Sequence, residues 1–542
     1  MPTTTSLHPL ARLAQDRDIV SEIVCSRLLR AAPSDSKQME EMLGDSLFWE
    51  KKRLASPNDP VRDAVDGAFW KMMAHEIPAA AGDAASLRIL YEKLIRFHLG
   101  EISSHFDQRT YKVATTLVPR GFVWLLQALS WKSLAKMFQE KPDLRGKVVI
   151  QGQLEQLRKL SQKGTIILTP THFSNLDSML MGWALFDIGL PPFAYGAGLN
   201  LFTNPVLGYF MNNLGTYKVD RKKKHKLYRE ILKEYSTTIL ERRVHSLFFP
   251  GGGRSRSGGL ETKIKTGLLG TGVSAYIRNL QEGRPNPNVY IVPCVISYHF
   301  VLEASSLIAD YLKEQGQGRY MPVDEDSLMM RSFTQFIYKF FSANSKIHMN
   351  FGRALDPFGH LVDDDGNSVT DRGRMVDPAD FVRTDGEVRA DKQRDDEYTR
   401  ILSERLVERF AVENVVLSSH FVAYSFFLWL KRQHPEKDLF RLLRLAPEET
   451  RTALSDFLPF AEHILLKLRI LYHDGKLVLP PALRSCPVAD AVTTGLRNVG
   501  IYHTLRPLKM TGTVDGGGTV LSEDMELLYY YHNRMAGYGI TP

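Results

Sequence analysis

His172 and Asp177 lie five residues apart in THFSNLDSML (171–180), directly after the apolar run GTIILTP. On a regular helix five residues turn through about 500°, so the two side chains would not share a face. The spacing works when His172 sits on a strand-to-helix loop and Asp177 in the first helical turn. A carboxylate there orients an imidazole, whose unperturbed pKa of ~6.5 suits it to act as general base on a hydroxyl near neutral pH. The same letters have a plainer use. Ser174 is a good N-cap, S-x-x-D puts Asp177 at the third helical position, and His172 is then a polar loop residue. Spacing alone leaves both readings open.

Two further clusters carry positive charge. Residues 218–233 hold eight Lys/Arg, among them Lys218, Arg221, Lys222, Lys223 and Lys224, against Asp220 and Glu230. A charge run usually marks a solvated face, and Lys222 to Lys224 read that way; Arg221, nearest the preceding apolar run, is the better anion contact. The segment FFPGGGRSRSGG (248–259) places Gly252 and Gly253 before Arg254, Ser255 and Arg256. Glycines let backbone N–H groups approach an anion, and guanidinium groups offer it paired donors. The stretch lacks G-K-S/T, so it is no nucleotide P-loop, and it also fits a flexible turn. A fourth block, IVPCVISYH (291–299), reads as a buried strand with little chemistry of its own.

These clusters need a scaffold that brings them together. Short β-rich runs occur at KVVIQG, GTIILTP, FAYGAG, GTYKVD, SLFFPGG, VYIVPCVIS and KIHMNFG, with helical stretches between them at 225–243 and 260–280. That alternation predicts an α/β domain over 145–353, with a mainly parallel central sheet flanked by helices. In such sheets ligands bind beyond the carboxyl ends of the strands, and His172, Arg221 and Arg254 each follow one. Residues 1–144 read as an N-terminal helical region and 399–542 as a C-terminal one. Residues 354–398, dense in Asp, Arg and Gly, read as a polar insertion or linker.

Composition excludes several classes. The chain has 542 residues, 44% hydrophobic and 24% charged, with a net charge of +8. Those values are ordinary for a globular protein of several domains and argue against disorder or many membrane spans. Three dispersed cysteines build neither a disulfide framework nor a cysteine metal site. The first residues lack a signal-peptide pattern. Residues 188–217 are charge-free but rich in Pro, Gly and Asn, and 414–430 are charge-free over only 17 positions, short of the ~20 a bilayer needs. The mild excess of basic residues favours acidic partners: a phosphorylated substrate, an anionic membrane or nucleic acid.

Taken in order, the four blocks resemble the glycerolipid acyltransferases, most closely the bacterial glycerol-3-phosphate branch. The family pattern runs H-x4-D, G-x-x-(F/Y)-(I/V)-(D/R)-R, F-(P/V)-E-G-(G/T)-R-S-R-(S/T)-G and a V-P-V-like strand. Here it reads His172–Asp177, Gly215–Arg221, Phe249–Gly258 and Val292–Ser297. One departure stands out: the family's glutamate in the third block is Gly251 here, with Glu261 the nearest acid downstream. V-D-R at 219–221 and F-P at 249–250 look more like the lysophosphatidate branch, while GAGLNLF (196–202), HKLYREIL (225–232) and MELLYYYHNRMAGY (525–538) look like the glycerol-3-phosphate branch.

The resemblance implies the glycerolipid acyltransferase fold and direct transfer of a fatty acyl group from acyl-CoA or acyl-ACP to a hydroxyl of glycerol-3-phosphate. No metal or cofactor is implied beyond that co-substrate. His172 would be the base and Asp177 its partner. Ser174, Lys218, Arg221, Gly252, Gly253, Arg254, Ser255 and Arg256 would form the substrate site, with the arginines on the phosphate. Lysophosphatidate, dihydroxyacetone phosphate or another lyso-lipid is the alternative acceptor. An insoluble product implies peripheral binding to the anionic cytoplasmic face of the inner membrane, with 121–138 and 415–430 as candidate apolar faces, although both also read as core helices. The basic run lacks the interleaved aromatics of a nucleic-acid binder.

Overall fold

The computed structural model describes residues 8–55, 60–114, 146–202, 205–316, 346–512 and 517–541. Its centre is a seven-stranded sheet: β1 (Val148–Gly152), β2 (Thr165–Pro170), β3 (Ala194–Gly198), β4 (Thr216–Val219), β5 (Ser246–Phe248), β6 (Val289–Ser297) and β7 (Ile347–Phe351). The spatial order is β1-β7-β6-β2-β5-β3-β4. From β6 to β4 all neighbours are parallel; β7 runs antiparallel to β6, and β1 is parallel to β7. The fold is therefore α/β with a mainly parallel sheet, and each β-rich run of the sequence supplies one strand.

Every residue of β2 and β6 is buried. Side chains alternate across a strand, so continuous apolar runs arise where both faces are covered. Ile166 and Leu168 of β2 join one core, with helices Leu154–Lys163 and Asp177–Asp187 and the C-terminal helices. Ile167 joins the opposite core, with helices Thr271–Gln281 and Lys392–Val412. A third core unites N-terminal helices, including Arg17–Ala31 and Ala84–Ile102, with helix Lys226–Glu241.

Three regions bear on the expectations, and one of them, at Lys223, changes. Helix Ser418–Gln433 is buried from Ser418 through Phe427, so 415–430 is interior and not a membrane-facing surface. Its mate in that expectation, 121–138, lies outside the described residues. Lys223, expected on a solvated face with Lys222 and Lys224, is buried: its ammonium pairs with Glu101 and lies 3.8 Å from Asp66, both on the N-terminal helices. Residues 354–398 form short ribbons anchored by buried Phe358, Val362 and Val382. Their polarity is consumed locally; the Asp363 carboxylate, for example, accepts from the amides of Asp365 and Asn367. Among the described residues no helix is long and apolar enough to cross a membrane.

Candidate active site

Because β2 to β6 are parallel in this part of the sheet, their carboxyl ends open on one edge, and the chemistry collects there. β2 ends at Pro170. Thr171 holds the departing chain, its amide donating to Cys294 O at 2.9 Å and its hydroxyl accepting from Ile296 N at 3.1 Å. His172 follows on the loop, and Asp177 opens helix Asp177–Asp187, which lets the five-residue spacing close. His172 Nδ1 lies 2.8 Å from Asp177 Oδ2, and the amides of Phe173 and Ser174 donate to that same oxygen at 2.7 and 2.9 Å. Asp177 thus binds the imidazole and also gathers the amides of its own turn.

The other carboxylate oxygen accepts the hydroxyl of Tyr298, just past the end of β6. Burial and the adjacent Asp177 charge raise the Tyr298 phenol well above its ordinary pKa, so it stays a donor. In the tautomer that donates Nδ1–H to buried Asp177, Nε2 keeps its lone pair for a substrate. The imidazole stacks on Phe249 at a centroid distance of 4.1 Å, which fixes its plane.

Ser174 does not act as the expected N-cap. Its hydroxyl donates to Glu303 Oε2 at 3.0 Å while accepting from Leu176 N at 3.3 Å. Glu303 also accepts from Asn175 N at 3.0 Å and forms an ion pair with Arg254 at 3.3 Å. It therefore ties the histidine turn to the glycine-rich loop. Ser255 adds a second tie, its amide donating to His172 O at 2.7 Å. Arg256 turns away to pair with exposed Glu314 on helix Ala304–Glu314. Lys218, on β4, sets its ammonium 5.2 Å above the Phe202 ring.

The glycine triplet is the floor of the site. Gly252 has φ +75°, a conformation that glycine adopts at low cost. Because the triplet has no side chains, groups from elsewhere close on it. A Cβ on Gly251 would sit 3.0 Å from Glu261 Cγ, one on Gly252 2.7 Å from Lys265 Nζ, and one on Gly253 3.8 Å from Arg221 Nη1. Glu261 Oε1 accepts the amide of His172 at 3.0 Å, so this carboxylate fills the space beside Gly251 and braces the histidine backbone. Burial pushes its pKa up.

The C-terminal helix Met525–Ala536 completes the wall. Asn533 Nδ2 donates to Ser257 O at 2.9 Å, and Gly258 lies so close to the Tyr530 carbonyl that a Cβ would collide with it. Arg534 is buried, donates to Ile296 O, Ser297 Oγ and Asn414 Oδ1, and covers the Phe173 ring at 4.2 Å. Burial lowers its pKa to about 10.

Residues 151–297, which contain all of these strand ends, match the family model Acyltransferase. This stretch is thus similar to an acyltransferase domain. The glycerol-3-phosphate acyltransferase of Pseudoalteromonas translucida (strain TAC 125) is 32% identical over 276 residues, which is 49% of this chain and 30% of that protein. The chain thus aligns with less than a third of that relative's length. Of the side chains gathered at the site, sequence reasoning named His172, Asp177, Ser174, Arg221 and Arg254, passed over Tyr298, Glu303 and Lys265, and named Glu261 only as the nearest acid. Tyr298 lies within a block already singled out; Glu303 and Lys265 carry no motif of their own.

Proposed function

We propose that the chain transfers a fatty acyl group from an acyl thioester, acyl-CoA or acyl-ACP, to a hydroxyl of glycerol-3-phosphate, giving lysophosphatidate. The observation that carries this reading is the His172–Asp177–Tyr298 relay beside a glycine floor flanked by cationic groups. His172 Nε2 takes the acceptor hydroxyl proton as its oxygen attacks the thioester carbonyl. The C–O bond forms, the C–S bond breaks, and the proton passes to the leaving thiolate. Asp177 stabilises the transient imidazolium, and Tyr298 holds the carboxylate in place. Arg221, with the Gly252–Gly253 turn, receives the phosphate; Arg254 reaches it on leaving Glu303. Most of the acceleration then comes from positioning and electrostatics.

V-D-R at 219–221 and F-P at 249–250 favour a second reading, in which lysophosphatidate or another lyso-lipid is the acceptor. A labelled acyl donor offered with glycerol-3-phosphate, dihydroxyacetone phosphate and lysophosphatidate separates the two. Label in glycerol-3-phosphate supports the first; label only in a lyso-lipid replaces it with the second. Peripheral binding to an anionic membrane follows from the insoluble product and is tested by co-sedimentation with anionic vesicles.

A further inference from the structure

Two arginines of the GGGRSRSG loop already have carboxylate partners: Arg254 has Glu303 and Arg256 has Glu314. Two other cationic groups reach the glycine floor and, among the described residues, enter no ion pair. One is Arg221, two residues beyond the end of β4. The other is Lys265. Its backbone amide donates to Pro250 O at 2.9 Å, which ties the start of helix Thr266–Leu269 to the first residue of the turn. Its side chain then folds back over Gly252, with Cδ and Cε each 2.6 Å and Nζ 2.7 Å from the place a Cβ would occupy. A long, otherwise exposed side chain lies along its own loop where a glycine makes room for it. Arg221 Nη1 approaches the next glycine, 3.8 Å from the place a Cβ on Gly253 would occupy.

We propose that Lys265 is a binding residue for the acceptor phosphate, sharing that dianion with Arg221 across Gly252 and Gly253. The inference rests on the phosphorylated-acceptor reading above and adds a residue that the four motifs do not contain. A compact ammonium and a planar guanidinium on neighbouring glycines suit a tetrahedral dianion: the guanidinium takes two oxygens, and the ammonium neutralises the third. With Glu303 and Glu314 holding the other two arginines, Arg221 and Lys265 are, among the described residues, cations at the glycine turn that no carboxylate holds.

The test uses the full-length protein and two readouts. Inorganic phosphate binding is measured by calorimetry, and the KM for glycerol-3-phosphate and for acyl donor by labelled transfer. Lys265→Ala is expected to weaken phosphate binding and raise the KM for glycerol-3-phosphate, each about tenfold, the size of one lost charge-assisted contact. The KM for acyl donor stays unchanged. Lys265→Arg recovers most of the loss, and Lys263→Ala, an exposed neighbour, behaves as wild type. Equal phosphate affinity in wild type and Lys265→Ala overturns the inference, as does a wild type that binds no phosphate. Lys265-dependent phosphate binding without transfer to glycerol-3-phosphate upholds the inference and overturns the proposed substrate. Transfer that is indifferent to Lys265 overturns only the inference.

Discussion

The two halves of the site are built on opposite principles. Around His172 two carboxylates are fully engaged: Asp177 receives an imidazole, two amides and a phenol, and Glu303 receives a hydroxyl, an amide and a guanidinium. Around the glycine floor, Arg221 and Lys265 enter no ion pair among the described residues. Matched groups hold one geometry, as a proton-transferring base requires. Unmatched charge favours an anionic ligand that arrives later. A base must be rigid before the substrate comes, whereas a binding subsite gains its discrimination by being incomplete without it.

That contrast can be broken from either side. The largest effect is expected for His172→Ala: kcat falls on the order of 10³-fold, as for removal of a general base, while the unfolding temperature moves little. Steady-state transfer and calorimetry read the two. Gly258→Ala is next. Gly258 has φ +81° and abuts the Tyr530 carbonyl, so a methyl group pushes away the C-terminal helix. We expect about 2–4 kcal/mol of destabilisation in denaturant unfolding, with loss of activity through the loop. Tyr298→Phe removes one of four donors to Asp177. It should lower kcat about tenfold and stability by about 1 kcal/mol, with the KM for acceptor unchanged. If KM rises while kcat holds, Tyr298 belongs to the binding half.

The smallest expected effect concerns acid. His98 is buried beside Lys223, Glu101 and Arg53, and burial with the Lys223 charge lowers its pKa from 6.5 to about 4. His225 in the same cluster, near Glu50, shifts the same way. Between pH 6.5 and 4 the unfolded chain binds protons on these rings that the folded chain refuses, so stability falls as pH drops through that window. Thermal unfolding at pH 7 and pH 5 checks this. His98→Gln should show a shallower drop, and an identical drop would assign the acid sensitivity elsewhere.

The seven strands were legible because parallel strands covered on both faces leave unbroken apolar runs between glycines and polar turns. His172 and Asp177 were legible because partners five residues apart fit one loop. Residues that act through packing left no such trace. Tyr298 and Glu303 meet Asp177 and Ser174 across more than 100 positions of chain. Lys223 looked solvated because its partners, Asp66 and Glu101, come from helices far upstream. Glu261 and Lys265 matter only because the turn places their side chains over Gly251 and Gly252. The polar tract 354–398 read as an insertion or linker because few apolar residues stand out in it; a few buried ones anchor it while its aspartates cap their own turns.

The most direct measurement compares labelled acyl transfer by the wild-type chain to glycerol-3-phosphate and to glycerol, which differ only in the phosphate. A base set beside a cationic floor predicts that glycerol-3-phosphate is used at least 10²-fold more efficiently, in proportion to the charge-assisted contacts that glycerol forfeits. Equal use of the two alcohols, or no transfer to any phosphorylated hydroxyl, would contradict the account.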